Sequence, residues 1–171
     1  MNHKRPAGFT LIEVMIYVVL VSGILIGATS FAISIINNRT KSFAIQEVEQ
    51  NSRFVMEKIT QAVRSARKIA TPAIGVTDTT LELEMSDGTR NPTIFTLNGS
   101  SLNFTEGTGP TLDLHSGNVE VSNLIFTNLS LPNGKTRNVY VSFTLSHRNP
   151  SGRQEWAFTD SFETTIELRD R

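Results

Sequence analysis

Three hydropathy patterns follow one another along this chain. Val14 to Ile36 is a run of 23 residues without a formal charge, and about 20 predominantly apolar residues suffice for a helix to cross a bilayer. From Asn37 to Lys68 there is neither Gly nor Pro. Phe43, Val48, Val55, Ile59, Ala62, Ala66 and Ile69 recur there at close to helical spacing, the signature of an amphipathic helix. The two stretches together predict one helix from Phe9 to Lys68, roughly 90 Å long at 1.5 Å per residue. Glu49 and Arg53 form an i, i+4 pair in the favourable order. Arg64, Arg67 and Lys68 crowd the last turns, where the helix dipole favours cations. Thr71-Pro72 then disfavours continuation.

After Pro72 the period changes to two. Leu81, Leu83 and Met85 alternate with Glu82 and Glu84 before the turn Ser86-Asp87-Gly88. Ile94–Leu97 and Leu102–Phe104 flank Asn98-Gly99-Ser100-Ser101, a hairpin signal. Val119–Leu131 holds one or two strands, and Asn133-Gly134 marks a turn. Val139, Val141, Phe143 and Leu145 alternate with polar residues. After Asn149-Pro150-Ser151-Gly152 come strands at Glu155–Phe158 and Phe162–Leu168. Short connections imply antiparallel pairing, and a sheet needs a cover that the helix stripe can supply. The expected fold is α+β: a long N-terminal α-helix, half transmembrane and half amphipathic, packed on a C-terminal antiparallel β-sheet head.

Composition narrows the function. The chain has 171 residues and no cysteine, which excludes disulfides, thiolate zinc sites and a lipoprotein-type anchor. Net charge is zero, yet Arg39–Lys68 carries seven Lys/Arg against three Glu, and Ile69–Arg171 seven Lys/Arg against twelve Asp/Glu. An acidic head argues against non-specific nucleic-acid binding, which needs a basic surface.

Glu13 stands at the front of the apolar run, where a charge in lipid costs roughly 2.5–3.5 kcal/mol on insertion scales. His3, Lys4 and Arg5 precede the run, which suggests a cytoplasmic start. Three readings compete. A conventional signal peptide would use Ala28-Thr29-Ser30 as its cleavage site, against which stand Glu13 and the absence of a break after Ser30. A plain single-pass anchor explains the length and leaves Glu13 unexplained. Both would make the protein an exported or anchored β-domain binding module. The third reading rests on Ala7-Gly8-Phe9-Thr10-Leu11-Ile12-Glu13-Val14, which resembles the type IV prepilin signal shared by type II secretion and competence pseudopilins.

That resemblance implies cleavage by a prepilin peptidase between Gly8 and Phe9 and N-methylation of Phe9. It also implies partners: other pilin or pseudopilin subunits, an inner-membrane assembly platform, and membrane lipid before assembly. The segments become a leader at 1–8, a transmembrane and filament-core helix at 9–36, an amphipathic continuation at 37–70 and a β-rich head at 71–171. The protein is expected in the inner or cytoplasmic membrane with its head outside the cytoplasm, and then in a pilus or pseudopilus filament. Val121–Phe126 and Glu163–Arg169 resemble, more loosely, minor pilins and J-type minor pseudopilins.

Physical chemistry fits these positions. Gly8 lets an extended backbone approach a peptidase closely. The new amine of Phe9 would be mostly protonated at neutral pH, with a reference pKa near 7.7–8.0. Glu13 is proposed to meet such an ammonium on a neighbouring copy, since pairing offsets the cost of a charge in lipid; a protonated or snorkelling Glu13 is the alternative. Gly23 and Gly27 form a G-x-x-x-G beside Ser30 and Ser34, a stripe on which helices pack closely in lipid. Many pilins carry a proline midway along this segment and a C-terminal cysteine pair; this chain has neither.

No catalytic constellation is visible, so no enzymatic role or cofactor is expected. His3, His115 and His147 are scattered, and no phosphate-binding or dinucleotide-binding glycine loop is present. Asp78, Glu82, Glu84 and Asp87 carry oxygen ligands suited to Ca²⁺, but the E-x-E alternation reads better as a solvent face, and no metal site is assigned. Trp156 is read as core or interface. Asn38, Asn98, Asn103 and Asn128 each begin an N-x-S/T sequon.

Overall fold

The structure, a computed structural model, describes residues 8–169. His3, Lys4, Arg5 and the rest of the leader before Gly8 lie outside the described residues. Two compact units divide the chain at Thr40/Lys41, and a single helix, α1 (Leu11–Ser65), runs through that boundary.

Among the described residues of the first unit α1 has no apolar partner. Every residue from Val14 to Ile36 is exposed on all sides of the helix, and this is the stretch of α1 long and apolar enough to cross a membrane. The hydroxyls of Ser22, Thr29 and Ser34 donate to the carbonyls of Val18, Leu25 and Ser30 at 2.7, 2.8 and 3.0 Å. That back-bonding leaves few hydroxyl groups to be satisfied by a solvent that offers no hydrogen bonds.

In the second unit α1 buries Ala44, Val48, Ser52, Val55, Ile59, Ala62 and Val63. Spacings of three and four place them on one face, which enters a common core with both sheets. The helix stops at Ser65, short of the expected Lys68. Ala66–Thr71 is strand β1, in which Ala66 and Ile69 are buried and Arg67 and Lys68 exposed. Pairing with a neighbouring strand outweighs the helix-end preference of the basic run, leaving Arg64 as the cation of the last turn. Phe43 is the other departure: it is exposed, and Ala44 takes its expected place in the core.

All pairing in the head is antiparallel. β2 (Thr77–Asp78), β3 (Thr80–Met85), β4 (Thr93–Asn98), β5 (Ser101–Glu106), β6 (Leu112–Asp113), β7 (Val119–Asn128), β8 (Asn138–His147) and β9 (Thr159–Glu167) complete the strands. They form two sheets, ordered β1-β3-β4-β5-β6 and β2-β7-β8-β9. Leu81, Leu83 and Met85 on β3 and Val139, Val141, Phe143 and Leu145 on β8 face the core, as their alternation predicts. The β4–β5 hairpin pairs Asn98 with Ser101 across Gly99-Ser100, and Gly99 at φ +63° supplies the first position of a tight primed turn.

One strand expectation is resolved and another changes. Val119–Asn128 is one strand with a register shift between Ser122 and Ile125. Asn123 at φ +51° forms the bulge that returns Leu124 and Phe126 to the core. Gln154–Trp156 is a short 3₁₀ turn, not a strand. The Asn149 side chain accepts the Arg153 N–H at 3.1 Å and donates to the Arg153 carbonyl at 2.7 Å, closing the preceding loop on itself.

Candidate functional site: the amino-terminal processing segment

Gly8, Phe9 and Thr10 precede α1 in non-helical conformation. A Cβ at Gly8 meets nothing within 4 Å, so no contact among the described residues calls for glycine there. Phe9 is 77% exposed. The backbone around the expected scissile bond is thus open to an approaching partner.

Thr10 starts the helix. Its carbonyl accepts the N–H groups of Glu13 and Val14 at 3.1 and 3.2 Å, and its hydroxyl accepts the Glu13 N–H at 3.3 Å. Thr10 is therefore a side-chain cap, with Glu13 at the third helical position, the T-x-x-E order of a capping box. Glu13 lies in the first turn of α1, where the helix dipole favours an anion. One turn further, the Tyr17 hydroxyl donates to Glu13 Oε1 at 3.3 Å. Sequence reasoning misses Thr10 and Tyr17, although the T-x-x-E spacing and the i, i+4 separation are both visible along the chain. Gly23 and Gly27 lie one turn apart on the exposed helix. A Cβ added at either meets nothing within 4 Å, so both leave room for another backbone.

Residues 3–30 match the family model described as the prokaryotic N-terminal methylation motif. The chain fits a type IV pilin-like protein. The match covers the Gly8–Phe9 bond, the Thr10–Glu13 cap and the first part of the apolar helix. With the β-sheet head behind that helix, it accounts for the order of elements in a pilin-like chain. The motif implies processing by a prepilin peptidase and assembly with pilin subunits, and it is consistent with a membrane-anchored precursor. Comparison with curated proteins and with solved structures gives no match.

The remaining candidates of the pilin-like head are dispersed. Glu82 and Glu84 alternate with buried Leu81 and Leu83 on β3, while Asp78 belongs to the other sheet. Asp87 is engaged by Thr89, whose hydroxyl and N–H donate to Oδ1 at 2.7 and 2.9 Å. Those two bonds hold the Asp87 carboxyl below its ordinary range. Among the described residues these carboxylates do not converge on a metal-sized site. His115 ties its loop to β5: Nε2 accepts the Leu102 N–H at 3.2 Å, which makes Nδ1 the donor to the Ser116 carbonyl at 2.8 Å. Trp156 is half-buried, stacked on His147 with ring centroids 5.0 Å apart and edge-on to Phe43 at 6.1 Å.

Proposed function

We propose that this protein is a non-enzymatic structural subunit, a minor pilin or pseudopilin, of a type IV pilus or type II secretion-like filament. Prepilin peptidase cuts between Gly8 and Phe9 and the new amine of Phe9 is methylated. Before assembly the apolar helix holds the subunit in the inner membrane with its head outside the cytoplasm. An assembly platform then moves it into a filament whose core is built from the helices of residues 9–36. The motif over residues 3–30 carries this reading, and the uncovered apolar face of α1 supports it.

The chemistry of the site supports each step. Among the described residues a Cβ at Gly8 would meet nothing within 4 Å, which supports placing the demand for a small side chain on the peptidase, which must bring catalytic groups close to an extended backbone. Thr10 fixes the helix start, so that Glu13 is held in the first turn beside the terminus that cleavage creates. In lipid an unpaired carboxylate is costly, and the ammonium of a neighbouring Phe9 offsets that cost while setting the register of one subunit on the next. Gly23 and Gly27 let the neighbouring helix approach closely.

Co-expression with a prepilin peptidase, followed by mass spectrometry of the mature N-terminus, tests the reading. N-methylated Phe9 is the expected result. An intact Met1, or an N-terminus at Phe31, overturns it.

A further inference from the structure

The two sheets of the head have four edge strands, and three are blunted. β2 and β6 are two residues long, and β1 carries two register shifts in six residues. β9 differs: nine residues pair with β8 without a register break, and among the described residues no strand pairs with its other side. Long regular edges are templates for another strand, which is why most are shortened, bulged or covered.

The direction of the unpaired groups can be read from the ends of the strand. The Phe158 carbonyl accepts the His147 N–H, and the Leu168 N–H donates to the Arg137 carbonyl, both at 2.9 Å. Even-numbered positions therefore aim their backbone at the β8 side, and the odd-numbered Ser161, Glu163 and Thr165 aim away from it. Ser161 agrees: its N–H is taken by the carboxylate of its own neighbour Asp160 at 2.8 Å.

This edge borders a groove of about 840 Å³ whose other wall is α1, with Arg53, Glu57 and Gln61 along it and the half-buried Met56 and Phe162 within it. The solvent face of β9 carries Glu163 and Glu167, both exposed, and neither β8 nor β9 contains a Lys or Arg.

We propose that β9 and this groove receive an extended segment of a partner polypeptide as an added strand, with apolar residues toward Phe162 and Met56 and Lys or Arg beside Glu163 and Glu167. The row of alternating amides and carbonyls specifies an extended backbone as the occupant. The half-buried side chains specify apolar residues at every second position, and the acidic outer face specifies basic ones between them. The inference concerns recognition by the head and does not depend on the processing of the N-terminus.

The test uses the full chain in non-ionic detergent micelles and a fluorescein-labelled ten-residue peptide of alternating Val and Lys, read by anisotropy. Two further peptides carry N-methyl groups on the Val amides or on the Lys amides. Only one set of amides faces β9 in an added strand, so one methylated peptide is expected to bind at least about tenfold more weakly than the other. The double change Glu163→Lys and Glu167→Lys is expected to weaken the unmodified peptide by a similar factor, with circular dichroism unchanged. Equal binding of the two methylated peptides, or no binding by the unmodified one, overturns the proposal. So does concentration-dependent self-association that the double change abolishes, because the occupant is then a second copy.

Discussion

The Tyr17 hydroxyl lies 3.3 Å from Oε1 of Glu13, one turn along the same helix. A phenol donates a hydrogen bond but brings no charge. The carboxylate thus has a partner for one lone pair, and among the described residues no cation pairs with its charge. A cation from outside still lowers the cost of placing Glu13 in lipid, and the Tyr17 bond orients the group that receives it.

Charge and hydrogen bonding at Glu13 are separable by substitution. Glu13→Gln keeps an acceptor for Tyr17 and loses the charge; Tyr17→Phe does the reverse. Incorporation into filaments is expected to fall by about tenfold or more in Glu13→Gln and Glu13→Leu, the scale of an uncompensated charge in lipid, and to stay within about twofold in Tyr17→Phe, where the charge is kept and one long, exposed bond from a neutral donor is lost. Immunoblotting of sheared filaments measures incorporation, and N-terminal mass spectrometry confirms that cleavage after Gly8 continues. Wild-type incorporation of Glu13→Leu would remove the electrostatic account.

A second prediction concerns how the head is fastened to the helix it packs on. Asn51 Oδ1 accepts the Ser116 N–H at 2.8 Å, and Glu47 Oε1 accepts the Ser116 hydroxyl at 2.6 Å. Both acceptors lie on α1, one turn apart, and both grip one loop residue. Asn51→Ala leaves a part-buried amide without its acceptor, which costs roughly 1–3 kcal/mol. Equilibrium denaturation of the full chain in micelles is expected to show a lower midpoint with an unchanged slope. Ser116→Ala, which spares the amide bond to Asn51, should cost less.

Much of this architecture is legible in the residues because period reports burial. Leu81-x-Leu83-x-Met85 and Val139-x-Val141-x-Phe143-x-Leu145 point inward in the structure as their spacing requires. Less legible is where a long-range contact decides a local choice. Arg64-Ser65-Ala66-Arg67-Lys68 is good helix sequence, yet Ala66 pairs with Met85 and Lys68 with Glu84, and strand pairing wins. Phe43 fits the helical stripe but turns to Trp156 and His147, residues more than a hundred positions away that no window along the chain could join to it. The division into two sheets is of the same kind, since β2 and β6 hold only two residues each. At the amino terminus, by contrast, every interaction among the described residues spans four residues or fewer, so the Thr10 cap and the Tyr17 bond lie within reach of a local reading, which nonetheless passes over both.

Acid should loosen the turn after β3 before it reaches the core. The Asp87 carboxyl is held below its ordinary range chiefly by the Thr89 hydroxyl, then by the Thr89 N–H, with Arg90 adding a smaller attraction. A depressed folded-state value means that its contribution is fully present above the unfolded value, near the usual carboxylate range, and is lost as pH falls through the folded one. Carboxyl ¹³C titration by NMR is expected to place the Asp87 midpoint below that of an unstructured aspartate. Thr89→Ala, which removes the hydroxyl donor, should bring it back up. A midpoint at or above the unstructured value in the wild-type chain would contradict the geometry.

Two glycines at positive φ should respond differently to a methyl group, because one is strained only by its own backbone and the other also by a neighbour. Gly99 has φ +63° and an added Cβ meets nothing within 4 Å; Gly107 has φ +54° and an added Cβ would collide with the Thr89 carbonyl oxygen. Gly99→Ala therefore carries the left-handed penalty alone, about 1–2 kcal/mol. Gly107→Ala carries that penalty and must also push aside backbone already committed elsewhere, since Thr89 holds Asp87 and the Gly107 N–H donates to the Pro92 carbonyl at 2.8 Å. Its cost is expected to exceed that of Gly99→Ala by about 1–3 kcal/mol, the range for forced overpacking. The displacement also has a reporter outside stability: moving Thr89 weakens both of its bonds to Asp87, so the Asp87 midpoint should rise in Gly107→Ala and stay put in Gly99→Ala. Equal destabilisation of the two variants, with Asp87 unmoved in both, would mean that the Thr89 carbonyl yields freely and that the close approach at Gly107 constrains nothing.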